Sequence, residues 1–183
     1  MKTMKFNYPK ICLVALLFLS VGSFTACKDD DDNNEQYVMT NQDFVNSASS
    51  ANSFEIASGA LAVSKGVNAD VKHYGEHMVT DHTTAGVEMK NLATQKGWTI
   101  PTALMQKEQQ NLDKLNGLSG DAFDKEFVNI MVTSHQETVA LFTTAASPMG
   151  VPDGDLRSMA NGKLPTLQAH LQEAVALKAK VNP

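Results

Sequence analysis

From Thr40 to the C-terminus, apolar residues recur at three- and four-residue intervals, and this spacing constrains the fold more than any motif does. Alanine, leucine, methionine, glutamine, glutamate and lysine dominate, all good helix formers, and strand-like alternation is scarce. Glycine and proline punctuate the pattern. The first predicted helix starts at Thr40-Asn41-Gln42-Asp43, where a threonine followed three residues on by an acid offers acceptors to the first orphan amides. It runs to about Lys65, and Gly66 suits its C-terminal cap. The second starts at Asn68, has Asp70 in its first turn, and ends before Gly97. Trp98 to Pro101 reads as a loop, Thr102 to about Leu115 as a short helix, and Gly117 to Gly120 as a break. The third long helix spans Asp121 to Ala146. After a turn over Ser147–Gly154, the fourth spans Asp155 to Lys180, with a kink or restart expected at Asn161-Gly162 and Pro165.

Four long amphipathic helices in about 140 residues imply an all-α, single-core domain, a four-helix bundle. Two connections are short, so helices one and two form one hairpin and helices three and four another. The middle connection exceeds 20 residues. It can run the length of the bundle, which gives the ferritin-like arrangement with a long crossover between helices two and three.

The N-terminal residues belong to a different class. Lys2, Lys5 and Lys10 precede an unbroken apolar run, Ile11–Leu19, and small residues follow up to Ala26. That is the layout of a secretory signal, and the run is about half of the ~20 residues needed to span a bilayer. Phe24-Thr25-Ala26-Cys27 resembles the lipobox of bacterial lipoproteins. The resemblance implies cleavage before Cys27, acylation of its thiol, and attachment to the outer membrane by lipid, with Lys28-Asp29-Asp30 resembling a surface-export address. The expected organisation is a signal over 1–26, an acidic tether over 27–39 and a helical domain over 40–183. Of the two cysteines, Cys12 leaves with the signal, so no internal disulfide can form. Loss of the three signal lysines leaves 12 basic against 20 acidic residues, a net charge of −8. That excess argues against nucleic acid as a partner. The membrane, through an N-terminal lipid, is the expected contact, and no protein partner is indicated.

Catalytic motifs are missing from the sequence. It has no Cys-x-x-Cys, no phosphate-cradling glycine loop and no Gly-x-Ser-x-Gly elbow. The unusual feature is polar residues on core faces. Glu55 lies in the stripe Phe44, Ala48, Ala51, Ser58, Ala62 on helix one. His82 shares the Val71–Met78–Met89 face, His135 the apolar face of helix three, and His170 the edge of the Leu167–Leu171–Ala174 face. One inward polar group per helix, away from the ends, is the layout of a metal site inside a bundle. Carboxylate and imidazole ligands suit iron, zinc or manganese, and Asp81 could orient a neighbouring histidine. A lone inward histidine is also a common satisfied core residue, and Glu55 paired with one histidine needs no metal. Counting turns favours that plainer reading: Glu55 comes level with about Met78, leaving His82 one turn (~5 Å) beyond, and His135 and His170 are offset by a turn or more. His73, His77 and Asp81 form a separate stripe at four-residue spacing; the two histidines point away from the core face and read as an exposed charged face, the alternative being an adventitious divalent ion. Met39, Met78, Met89, Met131 and Met159 read as gap-filling core.

The order Phe44, Ala51 and Glu55-Ile56, then Val71-Lys72, Met78-Val79 and Asp81-His82, then Gly97 with Ile100-Pro101, then Phe123-Asp124, His135, Leu164-Pro165 and His170-Leu171 resembles a family. It is domain-of-unknown-function family 4142, bacterial envelope proteins grouped with ferritin-like bundles. The resemblance implies a fold and an envelope location. It brings no ferroxidase chemistry, because the Glu-x-x-His pairs of di-iron ferritins are absent; Asp70-x-x-His73 faces outward and His170-x-x-Glu173 is reversed. The expected role is a non-enzymatic interaction or binding module. The alternative is a metal held in the bundle core by Glu55, His82, His135 and His170.

Overall fold

The computed structural model describes residues 36–182. The signal, Cys27 and most of the tether lie outside the described residues. Five helices follow in order: α1 (Asn41–Lys65), α2 (Ala69–Lys96), α3 (Gln106–Asn116), α4 (Gly120–Ala146) and α5 (Gly154–Val181). No strand occurs among the described residues.

The caps lie where the sequence puts them. Thr40 accepts from the Asp43 amide, Asn68 from those of Asp70 and Val71, and Asp153 from those of Asp155 and Leu156. Gly97 closes α2 in the left-handed region at φ 74°. Two segments differ from expectation. The short helix begins at Gln106 instead of Thr102, because the Met105 amide is taken by Ser50 Oγ at 2.7 Å and holds the preceding strip of chain against α1. α5 runs uninterrupted through Asn161-Gly162 and Pro165, so of the kink or restart expected there the restart does not occur. Proline removes one amide and costs roughly 3 kcal/mol in a helix interior. Buried Leu156 and Ala160 on one side and Leu167 and His170 on the other keep both halves docked.

Around the bundle the helices pack in the cycle α1–α2–α5–α4, and α3 lies across α1 and α4. Neighbours are antiparallel. Lys65 at the end of α1 bonds the Asn116 and Leu118 carbonyls just before α4. Asp124, near the start of α4, accepts from the Val67 and Asn68 amides and so caps the α1–α2 turn from the side. Lys96 at the end of α2 pairs with Asp153 and Asp155 at the start of α5. The 97–119 connection therefore travels the length of the bundle, as the long crossover requires. Val38 and Met39 donate to the Met149 and Gly150 carbonyls, so the chain is docked to the domain just before α1.

α1 and α2 approach closely. A Cβ on Gly75 would lie 2.7 Å from the Gly59 carbonyl oxygen, and one on Gly59 2.8 Å from that of Gly75. Only residues without Cβ permit this backbone-to-backbone contact. The buried apolar residues form two clusters. One holds Phe54, Met78, Phe127, Met131 and Ala174, and the other Ala48, Met89, Phe142 and Leu167. On α2, α4 and α5 the boundary between them falls at His82, His135 and His170, and on α1 it falls between Ala48 and Phe54, just before Glu55. The five methionines join one cluster or the other and do not gather, as core filling predicts.

A candidate metal centre between the two halves of the core

The four polar residues meet. Glu55 and His135 are fully buried, His82 and His170 nearly so. Glu55 Oε2 lies 2.7 Å from His82 Nε2, and Oε1 lies 3.5 Å from His135 Nδ1 and accepts from Ser134 Oγ at 2.7 Å. The histidine rings are mutual neighbours, with centroids 5.4 to 5.9 Å apart. One ring nitrogen from each of His82, His135 and His170 lies within 4.8 Å of the others.

The expected one-turn offsets are therefore corrected, and the reason is side-chain direction. A helical side chain leans toward the N-terminus of its own helix. On α1 this carries Glu55 away from the Gly66 turn, and on antiparallel α2 it carries His82 back toward that turn. The two leans add and close the gap. His135 and His170 do the same about the α4–α5 turn. Counting Cα levels alone misses this.

Each histidine has one nitrogen tied. His135 Nδ1 donates to the Met131 carbonyl at 3.0 Å. His170 Nε2 donates to Asp81 Oδ2 at 2.9 Å, the orienting role expected of Asp81. His82 Nδ1 lies 3.1 Å from Asn52 Oδ1. The opposite nitrogens, His82 Nε2, His135 Nε2 and His170 Nδ1, are buried without an aligned hydrogen bond, and so is Glu55 Oε2. The 2.7 Å contact between Glu55 and His82 is thus an ion-pair contact that lacks in-line hydrogen-bond geometry. Buried polar atoms without partners are rare and costly in a native core. Here four of them belong to the four residues that meet in this one layer of the core.

Electrostatics follow from burial and proximity. Burial pushes the Glu55 carboxyl upward, but the His135 and His82 rings, the close His82 contact and the Ser134 hydrogen bond outweigh it and hold its pKa at about 2. For His82, burial works against the charged ring, and the Glu55 carboxylate overcomes it and raises the pKa. His170 goes the other way: burial lowers it, only partly opposed by Asp81. Burial and then the Glu55 charge raise the Tyr74 phenol, which stays protonated and donates to the His170 carbonyl at 3.2 Å.

A cavity of about 80 Å³ adjoins the cluster, lined by Asn52, Glu55, Asp81, His82 and His170 among others. It leaves room for water or a small ligand beside the bare nitrogens. Metals at about 2.1 Å from imidazole nitrogens need those nitrogens about 3.4 Å apart, so shifts of about 1 Å would complete a three-histidine site.

Asn52, Tyr74 and Ser134 were not anticipated. Asn52 could have been found, since it lies three residues before Glu55 on the same helix. Tyr74 and Ser134 carry no such signal. No helix among the described residues is long and apolar enough to cross a membrane.

The solved structure of CopM in the Cu(II)-bound form has the same fold. It aligns with a TM-score of 0.63 over 78% of this chain and 97% of CopM, at 17% identity. No curated protein matches this chain. Residues 27–177, holding all five helices but the last few residues of α5, match the model of a domain of unknown function, DUF4142, and the chain belongs to that family.

Proposed function

We propose that this protein binds a single divalent transition-metal ion in the middle of its bundle, through His82, His135 and His170, with Glu55 as the balancing carboxylate and fourth ligand. One observation carries the reading: His82, His135 and His170 each bring a ring nitrogen to within 4.8 Å of the others, each has one buried nitrogen without an aligned hydrogen bond, and the opposite nitrogen of each ring is held by Asn52, the Met131 carbonyl or Asp81. That is how metal-ligating histidines are fixed, with an outer partner setting tautomer and orientation. An imidazole-rich set suits zinc, iron, manganese and copper(II), and copper(II) binds such donors most tightly of the four. The likeness to CopM in its Cu(II)-bound form adds copper to the metals considered. The role is retention of the ion, at a site that the adjoining cavity leaves open to one small additional ligand. Acylation of Cys27 would hold the protein at the outer membrane, exposed on its tether.

The 2.7 Å Glu55–His82 contact favours a competing reading, a structural pair that fixes helix register. That reading leaves His135 Nε2 and His170 Nδ1 unexplained. Elemental analysis of untagged protein, purified with and without added copper and zinc, separates the two. Stoichiometric metal that falls by one ion per chain in His82→Ala/His135→Ala is expected. A metal content unchanged by that double substitution would sink the core site. Fractionation of cells carrying Cys27→Ala tests the anchor: the protein should leave the membrane fraction.

A further inference from the structure

We infer a second metal site on the surface of α2, at His73 and His77, which takes a divalent ion such as copper(II) independently of the core. The two histidines stand four residues apart on one helix face, the spacing at which imidazoles chelate one ion. Their ring centroids are 4.3 Å apart. His73 Nδ1 faces Glu76 Oε2 at 3.5 Å, and His77 Nδ1 faces Glu173 Oε2 of α5 at 3.4 Å. A carboxylate behind each Nδ1 leaves each Nε2 as the outward donor, the carboxylate–histidine–metal order found at metal sites. Side-chain exposures of 65% and 43% let the rings turn to one ion at little cost.

The surroundings favour a cation. A groove of about 180 Å³ between α2 and α5 is lined by Asp70, His73, Glu173 and Lys180. Its one lysine is already paired with Asp70 at 2.9 Å. Glu76 and Glu173 face the histidine pair, and an anionic rim concentrates cations. With two imidazole ligands and solvent completing the shell, the site is open and exchanges its ion with solution, whereas the core site is enclosed. The competing account is an exposed charged face that holds nothing.

Equilibrium dialysis of metal-free, untagged protein against copper(II), with metal and protein measured on both sides, decides between them. Wild type is expected to hold two ions, His73→Ala/His77→Ala one, and His82→Ala/His135→Ala one. Single His77→Ala should weaken the surface site by tenfold or more, because chelation is lost. Both surface positions are exposed, so these variants should melt as wild type does, which the same samples can show. A surface double variant that binds as many ions as wild type overturns the proposal. If wild type holds one ion, kept in the core variant and lost in the surface variant, the surface site stands and the core site falls.

Discussion

Replacing the Glu55 carboxylate by its amide tests the electrostatics of the polar layer with little change of shape. The Glu55 pKa falls from 4.5 to about 2 on folding. A drop of about 2.5 units corresponds to about 3 kcal/mol of stability held by the ionised carboxylate. Because the folded value is the lower one, that stability is fully present above pH 4.5 and is lost as pH falls toward 2. For His82 the folded value is raised, so its share is present below the ordinary value of 6.5 and is lost as pH rises through the folded value. The pair therefore contributes most in the window between those limits. Glu55→Gln should destabilise the metal-free protein by about 3 kcal/mol at pH 6, a fall in Tm on the order of 10 °C for a domain of this size. At pH 3 the difference should shrink markedly, because below pH 4.5 the unfolded wild type takes up a proton that the folded carboxylate still refuses. Thermal melts followed by circular dichroism, with a chelator present, at pH 6, 4.5 and 3 measure this. A deficit that is the same at all three pH values, or a variant more stable than wild type at pH 6, would refute an ion pair at this position.

Three further outcomes follow from the same geometry. Coordination needs neutral His82, whose pKa the Glu55 charge raises, so metal affinity should weaken as pH falls through the raised value; calorimetric titrations at stepwise lower pH should show it, and an affinity that does not change with pH would count against it. Asp81→Asn removes the carboxylate that orients His170, with an expected 10- to 100-fold loss of metal affinity; Asp81 is half exposed, so the metal-free melting point should move little. Gly75→Ala puts a Cβ 2.7 Å from the Gly59 carbonyl oxygen and 2.8 Å from Ala62 Cβ, inside van der Waals contact with both, and should cost about 1–3 kcal/mol in denaturant unfolding as α1 and α2 are forced apart.

How much could be read in advance depends on which interactions decide each feature. The caps at Thr40, Asn68 and Gly97 are local: one side chain or one missing Cβ meets its own helix end, so the residues within a few positions suffice. Pro165 is the counter-example. Its local effect is to break a helix, and contacts made by residues on both sides override it. The start of α3 likewise depends on Ser50, over fifty residues away in the chain.

The sequence by itself determined an all-α bundle of two hairpins with a long crossover, because helical periodicity and glycine–proline breaks are written in neighbouring residues. It also determined which four polar residues face inward, since a face is a property of one helix. Whether those four meet was a matter for the tertiary structure alone. Their Cα levels differ by about a turn within each hairpin, and only the antiparallel packing, brought close by Gly59 and Gly75 on the α1–α2 side, makes the leans of Glu55 toward His82 and of His135 toward His170 converge. The partners that leave one nitrogen bare on each ring, Asn52 on α1, the Met131 carbonyl on α4 and Asp81 on α2, come from three helices. A metal site is a distance relation among side chains of separate elements, and no single helix contains it.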